Sequence, residues 1–377
     1  MKIIVNATIL DNKPTGLGIY TLNVIKELSM IVKVGDSLVV YTGCPEALDF
    51  PGLTIRRVNR FVQPHYGRIA GVIRFLWLQL VFPLRVLMEG FDVIYNTTHH
   101  GVLFAFKQRQ VVTIQSDVDV TFKFPKQHIL QYYYFKYIIP FLLRSSFAVI
   151  TTSRYAMDLL MKYYQDSISH CYYAYNAYNT AVFNPVKDAQ DSLVLKKYGL
   201  EGNYLLTVGA YYTHKNIANL LAAYRKVQAK HKNIGLCIVG YNKDYLDPLI
   251  EYEEYRGVIK IPYVPQHEIV MLYRWASCLV FPSFCESFGI PSIEAMASGC
   301  PVIVSNLSSF PEICEDAALY CNPYDVDDIA DKIKEILSHE DLRASLAEKG
   351  LWRVKRFKWK DTAERIYKIL SEASENL

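Results

Sequence analysis

The sequence predicts an α/β chain built from two doubly wound domains, and three observations predict it. Short apolar runs alternate with longer amphipathic stretches from the first residue onward, the pattern of strands joined by helical crossovers and therefore of parallel pairing. The alternation pauses in a polar, aperiodic stretch at Asn179–Ser192, which contains Pro185, and then starts again. The chain has 377 residues, too many for one ordinary core.

In the first half, Lys2–Ala7 reads as a buried strand, Asp11–Gly18 as a turn-rich loop and Ile19–Ile31 as a helix. Leu38–Thr42, Phe91–Asn96, Gln110–Ile114 and Ala148–Thr152 read as further strands, with a long aromatic helical stretch at Lys126–Arg144. In the second half the strands are Tyr204–Val208, Ile234–Val239, Val258–Ile261, Ser277–Phe281, Pro301–Ser305 and a short one at Ala317–Tyr320. Helical patterns fall at Ile217–His231, His267–Trp275, Ile290–Ser298, Val326–Ser338 and Asp341–Val354. The expected organisation is a domain over 1–180, a second over 181–355, and a C-terminal helix over 356–377 that crosses back to the first. No sequence repeat links the halves. Two such domains facing each other leave a cleft at the carboxyl ends of their strands, where open α/β sheets bind ligands.

Composition narrows the partners. The net charge is +4, which gives no overall basic field and argues against nucleic acid. Arg56, Arg57, Arg60, Arg68 and Arg74 are nevertheless crowded into one stretch. The eight cysteines show no C-x-x-C pair and read as reduced, buried thiols of a cytosolic protein. The opening apolar run is too short for a signal peptide. Ile69–Met88 is long and apolar enough to cross a bilayer, but Arg74, Gln79, Pro83 and Arg85 interrupt it, and central arginines are costly there. It reads as an amphipathic helix, either packed on its own domain or resting on a membrane surface.

The most informative stretch is Phe281-Pro-Ser-Phe-Cys-Glu-Ser-Phe-Gly-Ile-Pro-Ser-Ile-Glu-Ala-Met-Ala-Ser-Gly-Cys-Pro-Val-Ile. It reads as strand, loop, helix, glycine stop and strand. Glu286 falls in the loop and Glu294 in the first turns of the helix. Backbone N–H groups around Phe288, Gly289 and Ile290 are unpaired helix-start donors suited to an anion such as a diphosphate. Two carboxylates beside a phosphate site suit hydroxyl donors, as on a ribose and a hexose. The same spacing also fits a capped helix with two surface glutamates.

Glu286 and Glu294, with Ala-x-Ala-x-Gly-x-Pro-Val-Ile behind them, resemble the E-x7-E motif of the retaining glycosyltransferase family 4, within the mannosyltransferase-like group 1 glycosyltransferases. The resemblance extends along nearly the whole chain. It implies the GT-B fold, two facing Rossmann-like domains with a deep cleft and the donor site mostly in the second. It further implies that Glu286 meets the donor sugar's hydroxyls, Glu294 the ribose, and the backbone at Phe288, Gly289 and Ile290 the sugar and phosphates, with Val264 and Gly209 in the same donor site.

A second matching piece runs Val208-Gly-Ala-Tyr-Tyr-Thr-His-Lys-Asn. Lys215 there can neutralise a leaving diphosphate in place of a metal. The family usually carries an arginine just upstream; here Ala210, Tyr211 and Tyr212 stand, and Arg154 is a candidate substitute. A third piece, Thr15-Gly-Leu-Gly-Ile-Tyr, resembles the family's glycine-rich loop, with Gly16 and Gly18 allowing a tight turn against phosphate or sugar. At the fourth, Val111-Val-Thr-Ile-Gln-Ser-Asp, members frequently carry a histidine–aspartate pair, whereas this chain has Gln115, Ser116 and Asp117. Ser153 and Tyr155 would lie near the cleft, and His99 and His100 on its acceptor side.

Asp117-Val-Asp119 has the form of a metal-binding D-x-D, but that motif belongs to another fold, and Lys215 makes it redundant; no metal and no cofactor are expected. Asp325 reads as a helix N-terminus. The expected activity is retaining, metal-independent hexose transfer from a nucleotide-sugar, GDP-mannose favoured, to a saccharide acceptor, lipid-linked, for bacterial surface polysaccharide at the inner face of the plasma membrane. A GT-B epimerase or phosphorylase, or a binding module without catalysis, shares the same features.

Overall fold

The computed structural model describes all residues except 13, 15, 105–108, 116–117, 125–128, 201, 242, 244–246, 248–255 and 376–377, and the side chain of Arg68. By contacts the chain forms two units, Met1–Asn176 together with Lys358–Leu377, and Ala177–Phe357.

The first unit is a parallel seven-stranded sheet in the order β3-β2-β1-β4-β5-β6-β7. Its strands are β1 (Lys2–Asn6), β2 (Ser37–Thr42), β3 (Leu53–Arg57), β4 (Val93–Asn96), β5 (Gln110–Ile114), β6 (Ala148–Thr151) and β7 (Cys171–Tyr173). Central strands are runs of β-branched residues because helices cover both faces; Ile3, Ile4 and Val5 have no exposed surface. The helices Gly16–Ile31 and Trp359–Glu375 pack together, with Tyr20 edge-on to Trp359 at 5.8 Å between centroids. Thr362 donates to the Tyr175 carbonyl at 2.6 Å, and Tyr367 donates to Asp36.

Two strands escape a reading of the sequence, and both are edges. Cys171–Tyr173 has only three residues, and Leu53–Arg57 ends in two exposed arginines. An edge strand buries too little to need an apolar run. The expected single helix over 69–88 is two, Gly67–Leu80 and Phe82–Glu89, bent by 44°. Pro83 in the first turn of the second helix lacks the N–H that continuation would need. Among the described residues no single helix is long and apolar enough to cross a membrane, although this bent pair passes by length and composition together. Ala70, Arg74 and Leu78 are buried, while Ile69, Val72, Leu76, Leu80, Leu84, Leu87 and Met88 are exposed. Arg74, one of the residues that interrupt the apolar run, is therefore inside. The aromatic helix expected at 126–144 is interrupted by a π-turn, Tyr134–Ile138, between Ile129–Tyr133 and Ile139–Ser145. Such a turn admits Pro140 into the run.

The second unit is a parallel six-stranded sheet in the order β10-β9-β8-β11-β12-β13. These are β8 (Tyr204–Val208), β9 (Gly235–Val239), β10 (Val258–Ile261), β11 (Cys278–Phe281), β12 (Val302–Ser305) and β13 (Leu319–Cys321). A helix, Ala189–Lys197, occupies part of the stretch that reads as a linker; Asp188 and Asp191 close a capping box at its start. Asp325 caps Val326–Ser338 by accepting from the backbone of Asp327 and Asp328, as its charge pattern predicts.

Candidate active site

Strand order decides which loops meet. β8 and β11 are neighbours, Leu205 paired with Cys278 and Leu206 with Leu279, although the sequence between them adds two further strands on the outer side of β8. The order of connection reverses at this point, and the loops leaving the two carboxyl ends lie side by side. One carries Lys215 and the other Glu286. Lys215 Nζ donates to Glu286 Oε1 at 2.5 Å, with side-chain exposures of 14% and 12%. The ammonium also sits 5.0 Å from the centroid of the Phe281 ring.

The backbone around this pair is held by Asn216, at the end of the lysine motif, and by Ser308, outside the motifs. Lys215 ends a short turn, Thr213–Lys215, and Asn216 follows in the left-handed conformation at φ 61°. Asn216 Nδ2 donates to the carbonyls of Pro282 (3.0 Å) and Pro323 (2.6 Å), and the Phe284 N–H donates to the His214 carbonyl at 2.8 Å. The lysine loop is thus stapled to the glutamate loop. An Asn before an apolar helical run is the signal available in the sequence, because Asn tolerates the left-handed region. Glu286 is fixed by its own N–H donating to Ser308 Oγ at 3.2 Å, and Ser308 also has a positive φ of 58°. Nothing in the sequence marks Ser308.

Gly289 caps the helix Ile290–Ala297 at φ 84°, and no side chain caps that helix start. A Cβ on Gly289 would stand 2.8 Å from the Phe310 ring, so only glycine fits. Phe288 is buried, its ring edge-on to Phe357 at 5.5 Å, so it offers a ligand its backbone alone. Gly209, at φ 79°, lies beside Lys215: a Cβ there would be 3.8 Å from Lys215 Cε. Glu294 projects from the helix, where the Tyr273 hydroxyl donates to Oε2 at 3.4 Å. Burial pushes the Glu294 carboxyl up to about 8. Val264 is buried in the loop after β10.

In the first unit the expectations fare unevenly. Gly16 and Gly18 do not form a tight turn: both lie in the first turn of Gly16–Ile31, and neither has a positive φ. Gly18 instead makes room for Pro14, whose Cβ would stand 3.0 Å from an added Cβ. Gln115 Nε2 donates to the Thr97 carbonyl at 2.8 Å. Asp117 lies outside the described residues. His99 is buried and stacks obliquely on His100, 4.3 Å between centroids. Ser153 is the N-cap of Arg154–Tyr164, accepting from the Ala156 N–H at 3.0 Å. Arg154 lies over the Tyr173 ring at 5.6 Å, within the first unit. Asp119 accepts from Tyr163 at 3.2 Å and pairs with Lys123 at 2.7 Å.

Residues 195–353 match the family model described as glycosyl transferases group 1. Over nearly the full length the chain is 29% identical to the O-antigen chain mannosyltransferase B of Escherichia coli, covering 98% of this chain and 100% of that protein. The chain is a glycosyltransferase. This glycosyltransferase is also 29% identical to the O-antigen chain mannosyltransferase RfbU of Salmonella typhimurium, over 89% of this chain and 90% of the other. Its fold is GT-B: a sucrose-phosphate synthase of Thermosynechococcus elongatus superposes with a TM-score of 0.75 at 20% identity, covering 98% of each chain.

Proposed function

We propose that this glycosyltransferase moves mannose from GDP-mannose, with retention and without a metal, to a lipid-linked saccharide during bacterial surface polysaccharide assembly on the cytoplasmic face of the membrane. The observation that carries the reading is Lys215 against Glu286 beside the uncapped helix start at Gly289. A diphosphate suits those N–H groups and the lysine charge. Lys215 then shares its charge between Glu286 and the diphosphate, supplying the electrostatic stabilisation that a divalent ion supplies in other transferases. Asp119, the described member of the D-x-D pair, is engaged with Lys123 and Tyr163, which supports a metal-free reading.

Glu286 accepts hydrogen bonds from the sugar hydroxyls and Glu294 from the ribose. The bond from C1 to the diphosphate breaks with its electron pair leaving on phosphate. The acceptor hydroxyl attacks C1 on the face the diphosphate departs from, and its proton passes to the departing phosphate oxygen. Near full-length kinship to two O-antigen mannosyltransferases supports mannose as the sugar and a surface polysaccharide as the product.

The test is incubation with a panel of nucleotide-sugars and a lipid-linked acceptor, following nucleotide release and the anomer formed. GDP release and an α-linked product with EDTA present are expected. Release from UDP-sugars alone, an inverted anomer or full inhibition by EDTA would each overturn the corresponding part.

A further inference from the structure

The guanidinium of Arg74 is buried, with 5% of the residue exposed, and its Nε and Nη1 have no hydrogen-bond partner. Among the described residues no carboxylate pairs with it. Burying an uncompensated cation is costly, and buried donors are rarely left unspent in a native fold. A group from outside the chain can supply the missing counter-charge.

The surroundings specify what kind of group that is. Arg74 projects from Gly67–Leu80 toward the loop after β4, where His99 and His100 sit, and toward Tyr134 on the π-turn. The His100 ring lies 4.3 Å from His99 and 6.1 Å from Tyr134, centroid to centroid. His100 Nδ1 is likewise buried without a partner. The cluster is firmly built all the same. Tyr134 donates to the His99 carbonyl at 3.0 Å, and Asn6 holds the His100 carbonyl at 2.8 Å. Burial and the neighbouring guanidinium push the His99 imidazole down to about 4, burial, His99 and the guanidinium push His100 down, and burial pushes the Tyr134 phenol up. The rings and the phenol are therefore neutral near physiological pH, and Arg74 is the charge of the cluster. One fixed cation and an unspent imidazole nitrogen, with no competing carboxylate among the described residues, form a site for a phosphoryl oxygen. The opposite face of the same helix exposes Ile69, Val72 and Leu76, a surface suited to an apolar chain.

We propose that Arg74 and His100 form an anion site for a phosphate group carried by the acceptor, a saccharide joined through phosphate to an apolar chain. This rests on the reading of the acceptor as lipid-linked.

The test compares wild type with Arg74→Met, which keeps the volume and removes the charge, and with Arg74→Lys. Inorganic phosphate is titrated against the melting temperature, and transfer is measured with one saccharide acceptor bearing a lipid phosphate and one lacking it. Phosphate should raise the wild-type melting temperature saturably, and Arg74→Met should remove that part of the rise. The same variant should raise the KM for the phosphate-bearing acceptor about 10- to 100-fold, the range of a charge-assisted contact, while the donor KM stays in place and Arg74→Lys recovers part of the loss. A full phosphate response or unchanged selectivity between the acceptors in Arg74→Met overturns the site. Loss of binding to phosphatidylglycerol vesicles in that variant would assign the anion to bulk lipid and overturn the acceptor assignment. If wild type uses no lipid-linked acceptor, the functional reading falls, and the phosphate titration alone still decides the site. Should Arg74→Met fail to fold, His100→Ala is read by the same two measurements.

Discussion

Lys215 Nζ lies 2.5 Å from Glu286 Oε1 across a separation of 71 residues, because β8 and β11 are adjacent in the sheet and their loops leave its carboxyl end together. The ion pair is mostly shielded from water, so each partner compensates the other's charge. Removing one leaves an uncompensated charge and costs about 3 kcal/mol, the low end for a buried pair. Glu286→Gln or Lys215→Met alone should therefore lower both the melting temperature and turnover, turnover by about 10²- to 10³-fold on the scale of a lost electrostatic contact. The double variant should recover stability and leave turnover low. Thermal melts and nucleotide-release assays on the three variants check this; recovery of activity in the double variant would sink the functional role.

Glu294 makes a pH prediction of definite sign. Its folded pKa is raised to about 8 from an ordinary carboxylate value, so the folded protein holds the proton more tightly than the unfolded chain. Its favourable contribution is full below the unfolded pKa and is lost as pH rises toward about 8. Glu294→Gln should then gain on wild type in melting temperature from pH 4.5 upward, with the difference levelling off beyond pH 8. If the ionised carboxylate is what accepts from the ribose, wild-type nucleotide affinity should also rise through that pH range. A flat difference between the two proteins across pH refutes the assignment of the shift.

Much of this molecule is legible in its residues alone, for a physical reason. Buried parallel strands must be apolar throughout, so runs such as Val302–Ser305 announce themselves, whereas what holds Gly289 to glycine, its positive φ against the Phe310 ring, appears only in the fold. Edge strands carry no such requirement, and Leu53–Arg57 shows the ordinary alternation of a surface segment. Side-chain pairing is illegible for a different reason. Glu286 and Lys215 can be nominated singly from their motifs, but their contact depends on the strand order. The burial of Arg74 is not legible in its residue type; it follows from sharing a helical face with Ala70 and Leu78.

Glycines separate backbone need from ligand approach. Gly289→Ala should cost about 1–3 kcal/mol, since it forces a side chain into the left-handed region against Phe310. Gly16 has an open neighbourhood and a negative φ. Gly16→Ala should be neutral or stabilising by about 0.4–1 kcal/mol. If Gly16→Ala also lowers turnover while stability holds, the glycine serves close approach of a substrate; unchanged turnover removes Gly16 from the site.

The bent helix pair carries its exposed apolar side chains as a band, with Leu84 and Leu87 each 62% exposed and Met88 81%. A patch of this extent commonly marks an interaction surface, and the crowded arginines Arg56, Arg57 and Arg60 precede the pair in sequence. On the proposed reading it rests on an anionic bilayer, its apolar side chains entering the headgroup boundary. Co-sedimentation with phosphatidylglycerol vesicles should be clear and should weaken as salt is raised. Leu84→Glu with Leu87→Glu should weaken it by about tenfold for each side chain, from the transfer free energy of a leucine. Because both side chains are already in water, the melting temperature of that variant should match wild type. Undiminished vesicle binding would show that the band does not face the membrane.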